Sequence, residues 1–198
     1  MQRIELITAA TAPLLARPYF ENGDPGPIAA AVAQVPELLA PTLNFLGAVL
    51  GPGCLSERIK EMVILRTSAD ASCRYCVNAH TCVALDLGFT LDEVRALRGD
   101  AMYSDVFARP EELAVLEWVD SLAAIGPIGD EIAATIASYF ADHEVVELTL
   151  LASTTLLLNR LCTALQLPND AGTVGRLAEL GFSLDARPQT LTVQGARL

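Results

Sequence analysis

Residues 56–80 read SERIKEMVILRTSADASCRYCVNAH, and this stretch decides the fold class. Ser56 is a good helix N-cap, followed by Glu57 in the first turn and by Glu61, Met62 and Leu65 among strong helix formers. Ser72 can cap a second helix from Cys73 to Leu87, which Gly88 stops just past its end. The same signals continue on both sides. Pro36 opens a helix through about Leu50 that the Gly51-Pro52-Gly53 turn ends, and Thr90 starts a short one with Asp92 and Glu93 in its first turn. Pro110 opens a helix toward Ala124, and Gly129 or Asp130 begins one ending near Phe140. Asp142 caps a long helix that Pro168 closes. Period-two alternation is confined to Thr190–Val193, so an all-α, multi-helix fold is expected.

The 198 residues suit a single domain of ~100–200 residues, with its core between about 36 and 167 and a tail over 183–198. Hydrophobic residues make up 52% and charged ones 19%, which excludes a disordered chain and leaves apolar surface to be hidden between subunits. The net charge of −11 repels phosphates, so nucleic acid and anionic membranes are poor partners. The uncharged run Leu38–Ser56 is broken by Pro41, Gly47, Gly51, Pro52 and Gly53, and Leu148–Asn159 lies between Glu147 and Arg160. Neither offers the ~20 apolar residues of a membrane span. Arg3 and Glu5 interrupt the start of the chain, which lacks a secretion-signal pattern. The expected protein is a soluble, cytoplasmic homo-oligomer.

A shift of 86 aligns EMVILRTSADASCRYC with ELTLLASTTLLLNRLC, placing Glu61 on Glu147, Cys73 on Asn159 and Cys76 on Cys162. This echo is either a duplicated helical unit or the shared composition of two buried helices. His80 falls on Gln166, so a second copy would be chemically silent.

The chemistry lies in Cys73-x-x-Cys76-x-x-x-His80. At ~100° per residue these three side chains share one helix face, whereas Cys82 falls on the opposite one. Five cysteines without a signal peptide argue against a secreted disulfide framework. Zinc would need more ligands than this face provides, because no second cysteine pair or histidine cluster exists and His143 sits beside Asp142 at a helix start. A thiol–disulfide centre without metal or cofactor is the stronger reading. The first turn of a helix lowers the pKa of Cys73, but His80 is one turn from Cys76, and a base within reach selects Cys76 as nucleophile. Cys73 is then the resolving thiol, condensing with a sulfenic acid on Cys76. Cys54, Cys82 and Cys162 are expected only to pack. Spacing alone leaves Glu61 open between a buried ionisable role and a solvated charged face.

At these residues the chain resembles the carboxymuconolactone decarboxylase-like superfamily, in its alkylhydroperoxidase D (AhpD)-like branch. The resemblance rests on Glu61, twelve residues, Cys73-x-x-Cys76 and x-x-x-His80, and extends more loosely over Pro36–Leu167. It implies an all-helical, oligomeric fold and a hydroperoxide reductase in which Cys76 attacks the peroxide and Cys73 closes the disulfide. It also implies that His80 and Glu61 form the proton relay and that a thiol or lipoyl-bearing protein is the reductant. Where the best-known members carry a histidine between the cysteines, this chain has Tyr75. Two other functions compete: a lactone-acid decarboxylase, with Arg66, Arg74 and Arg160 as candidate cations, and a helical oligomer that senses redox state without turnover.

Overall fold

The computed structural model describes residues 2–124 and 126–184. Its α-helices are α1 (Pro27–Val32), α2 (Pro36–Leu50), α3 (Glu57–Asp70), α4 (Arg74–Asp86), α5 (Leu91–Leu97), α6 (Pro110–Ala123), α7 (Asp130–Tyr139), α8 (Asp142–Leu165) and α9 (Ala171–Glu179), with no strand among the described residues. The alternation at Thr190–Val193 and the tail 185–198 lie outside them.

Helix α3 is the axis of the fold. Met62, Val63 and Leu65 are fully buried, and α3 packs against α4, α6 and α8. Two ion networks fasten its polar side: Arg58 pairs with Glu112 at 2.7 Å and with Glu93, and Arg66 grips Asp120 through two nitrogens at 2.7 and 3.1 Å. The echo splits here. Residues 61–76 cross the turn from α3 into α4, whereas 147–162 lie within the continuous helix α8. Asn159, the counterpart of Cys73, ties α8 to α3 by donating to Ser68 Oγ at 3.0 Å.

The long helix starts after Ala141, whose backbone N–H donates to Glu144 at 2.9 Å; Asp142 is therefore its first residue rather than its cap. It ends at Gln166 in the left-handed region, two residues before the Pro168 expected to close it. Length and composition would let α8 cross a membrane, but 44% of its most apolar window is buried within the fold. Val146, Leu150 and Leu157 remain exposed, as do Leu38 and Phe45 of α2. The N-terminal segment crosses the end of α8: Arg3 donates to Leu165 O at 3.1 Å from its backbone and to Ala164 O at 3.0 Å from its side chain. A cation on the last carbonyls suits the negative end of the helix.

Candidate active site

The turn between α3 and α4 builds the site, and it corrects one expectation. Ser72 does not cap α4. It sits at φ 52° as the left-handed residue that closes α3, with its N–H on Ala69 O (2.9 Å) and the Cys73 N–H on Ser68 O (3.0 Å). That closure makes Cys73 the N-cap of α4, where its sulfur accepts the Cys76 N–H at 3.4 Å. A thiolate is favoured there by the positive end of the helix.

Cys73 Sγ lies 2.8 Å from Cys76 Sγ, and both side chains are buried. The third member of the group is Cys162, from the last turns of α8. All three sulfurs lie within 4.8 Å of one another in an apolar nest with Ala31 and Leu167. Cys162 packs in the core as expected, and it does so beside the sulfurs of Cys73 and Cys76. Its position on Cys76 in the internal echo was the signal that could have found it. Three such sulfurs could hold a soft metal ion, a donor set that differs from the Cys73, Cys76 and His80 face weighed for zinc from the sequence.

Three buried thiols cannot all ionise, and the hydrogen bonding decides which one does. The Cys162 and Cys76 thiols donate to Cys73, helped by the Cys76 N–H and Thr163, and hold its pKa at about 3 against the opposing effect of burial. Cys76 is pushed up by sharing its proton with Cys162 and Cys73 and by burial. Cys162 is pushed up to about 12, chiefly by Cys73. The resting charge thus sits on Cys73, whereas spacing had favoured Cys76. The half-buried Tyr75 packs against this nest, and burial together with the neighbouring sulfurs raises its phenol to about 12. A phenol held neutral in this way cannot replace a histidine as a base.

Glu61 and His80 come together as the relay requires. Glu61 Oε1 is 2.9 Å from His80 Nδ1, with the carboxylate side chain 5% exposed and the imidazole 29% exposed. The solvated-face reading of Glu61 is excluded, and His80 alone of the pair reaches solvent. A carboxylate on Nδ1 fixes the tautomer that leaves Nε2 as acceptor. One helical turn separates His80 from Cys76, so their Cβ atoms are neighbours at about 5–6 Å.

The other cysteines divide. Cys82 is half-buried against the main core on the far side of α4. Cys54 is exposed rather than packed; its backbone N–H donates to Glu147 at 2.8 Å and its thiol also meets that carboxylate. Of the candidate cations, Arg66 is held by Asp120 and by Asp70 at 3.1 Å, and Arg160 is exposed on α8.

From the first turn of α2 into α6, residues 36–121 match one family model. That segment is similar to the carboxymuconolactone decarboxylase family. It contains Glu61, Cys73, Cys76 and His80 but not Cys162. The family resemblance extends to folds. An uncharacterized peroxidase-related protein from Silicibacter sp. TM1040 superposes with a TM-score of 0.76 at 19% identity, over 88% of this chain and 94% of that one. A second, from Ralstonia eutropha JMP134 and described as an alkylhydroperoxidase AhpD core, gives 0.75 at 16% identity over 87% and 94%. The debrominase Bmp8 gives 0.72 at 17% identity over 88% and 96%. At these identities the likeness is one of fold. No curated protein matches the chain.

Proposed function

We propose that this chain is a thiol-dependent hydroperoxide reductase in which Cys76 attacks the peroxide. The observation that carries this reading is the pairing of a 2.8 Å Cys73–Cys76 contact with a Glu61–His80 hydrogen bond one helical turn away. The single negative charge rests on Cys73, and Cys76 holds the proton between the two sulfurs. As Cys76 attacks the peroxide oxygen, its proton moves to Cys73, so no second charge is buried. The O–O bond breaks, and His80, held by Glu61 at Nδ1, takes a proton from solvent at Nε2 and passes it to the departing alkoxide. Cys76 is left as a sulfenic acid. Cys73 then attacks the Cys76 sulfur, its proton joins the leaving hydroxyl, and water and a disulfide result. An external dithiol, of free-thiol or lipoyl type, returns the pair to the reduced state.

Titration of free thiols before and after one equivalent of cumene hydroperoxide tests this. Two thiols per chain are expected to disappear, with recovery on adding dihydrolipoamide. Retention of every thiol while peroxide persists rejects the reading.

The same thiol pair could serve debromination, since the debrominase Bmp8 shares the fold and one of its structures holds 2,3,4-tribromopyrrole. Thiol loss with that compound and not with hydroperoxide would favour this second reading. A decarboxylase has less support, because Arg66 is already committed to two carboxylates. The exposed leucines of α2 and α8 support association of like chains, which equilibrium sedimentation measures.

A further inference from the structure

The sulfur of Cys162 serves neither step above, yet it lies in the same buried nest as the working pair. It comes from a different helix and from outside the family segment 36–121. It packs in an apolar nest with Ala31 and Leu167, and its sulfur lies within 4.8 Å of both sulfurs whose oxidation state is meant to change. Every pair among the three sulfurs lies within 4.8 Å, so small side-chain rotations connect any two of them.

We propose that Cys162 is a third redox-active thiol, which takes the disulfide from within α4 and carries it to α8. The proposal rests on the hydroperoxide reductase reading for its source of oxidation. Cys162 attacks the Cys73 sulfur of the Cys73–Cys76 disulfide, forming a Cys73–Cys162 bond and breaking the first one. Cys76 leaves and receives the proton that Cys162 gives up. No net oxidation occurs, and the thiol that meets peroxide is set free. The order of events is built in. While Cys73 is an anion, its charge keeps the Cys162 thiol protonated, and that restraint ends once Cys73 enters a disulfide. The structural consequence also differs between the two bonds. A Cys73–Cys76 disulfide joins one helical turn to itself, whereas Cys73–Cys162 fastens the start of α4 to the end of α8.

Peptide mapping of the wild-type protein is the first test. After one equivalent of cumene hydroperoxide, the sample is quenched in acid, unfolded, alkylated and digested without reductant. At least about a tenth of the disulfide is expected as Cys73–Cys162, with Cys76 alkylated in the same molecules. Disulfide found only as Cys73–Cys76, with Cys162 fully alkylated, overturns the proposal. The Cys73→Ser variant gives a second reading. Peroxide should produce a Cys76–Cys162 disulfide, and a lasting, dimedone-reactive sulfenic acid on Cys76 beside a free Cys162 would contradict it. Diamide, which joins thiol pairs without a peroxide step, separates this proposal from its parent. A Cys73→Ser protein cross-linked by diamide but inert to peroxide rejects the reductase reading and retains the three-thiol centre. One that diamide leaves uncrosslinked rejects the three-thiol centre.

Discussion

Glu61 Oε1 meets His80 Nδ1 at 2.9 Å across 19 residues of sequence, because the left-handed Ser72 folds α4 back along α3. The carboxylate is almost wholly buried and the imidazole is not. The pair therefore connects the solvent side of the site with its interior.

Glu61→Gln keeps the size and burial of the side chain but removes the charge that orients His80. General acid–base assistance contributes about 10²–10⁴-fold in enzymes. Steady-state kcat/KM for cumene hydroperoxide is expected to fall by about 10²-fold, with a much smaller proportional change in KM. An unchanged rate in a folded variant removes Glu61 from the relay.

Reduced protein should hold one thiolate per chain in mildly acidic solution, since Cys73 is kept at about pKa 3 by its sulfur donors. Ultraviolet thiolate absorbance is expected to persist at pH 5 in the wild type and to vanish in Cys73→Ser. Persistence in Cys73→Ser and loss in Cys76→Ser would place the charge on Cys76.

Asp70 supplies a pH dependence of stability that is separate from catalysis. Its side chain is only 22% exposed. Burial and the nearby Asp120 raise its pKa to about 7, with Arg66 opposing. The folded state therefore holds a proton that the unfolded state has released between about pH 4 and pH 7. The stabilisation is complete below pH 4 and is lost as pH rises through 7. Urea denaturation across that range should show wild-type stability declining relative to Asp70→Asn. Parallel profiles would show that Asp70 titrates normally.

Lys60, beside Glu61 in sequence, is also buried. Its side chain is 8% exposed and its ammonium lies 2.7 Å from Glu147 Oε1. Burial works against ionisation of Glu147, but Cys54 and Lys60 outweigh it and hold the carboxyl at about 2. Glu147→Ala strands a buried cation and should cost about 3 kcal/mol of unfolding free energy. A loss under about 1 kcal/mol would mean that the Gly51 carbonyl, which Lys60 also reaches, is a sufficient partner.

Helical periodicity and end signals made the all-α fold readable, because helices are specified locally. Pro36, Ser56, Thr90 and Pro110 stand where the sequence places them at helix starts. Ser72 misled because a residue between two helices can cap the second or close the first, and only the carbonyls of α3 decide which. Four candidate site residues were legible because they share one short stretch. Cys162 was not, since α8 reaches the cysteines only through its packing on α3 and α4. For Glu147 the echo gave a position but no partner, and Lys60 and Cys54 approach it only in the folded chain.

Replacing the thiol that meets peroxide tests the central claim most directly. Hydroperoxide consumption is followed with dithiothreitol as reductant in wild type, Cys73→Ser and Cys76→Ser, each checked for native helicity. Cys76→Ser should consume peroxide no faster than the reductant alone, while Cys73→Ser still undergoes one oxidation at Cys76. Catalytic consumption by Cys76→Ser would contradict the assignment and move the nucleophile to Cys73.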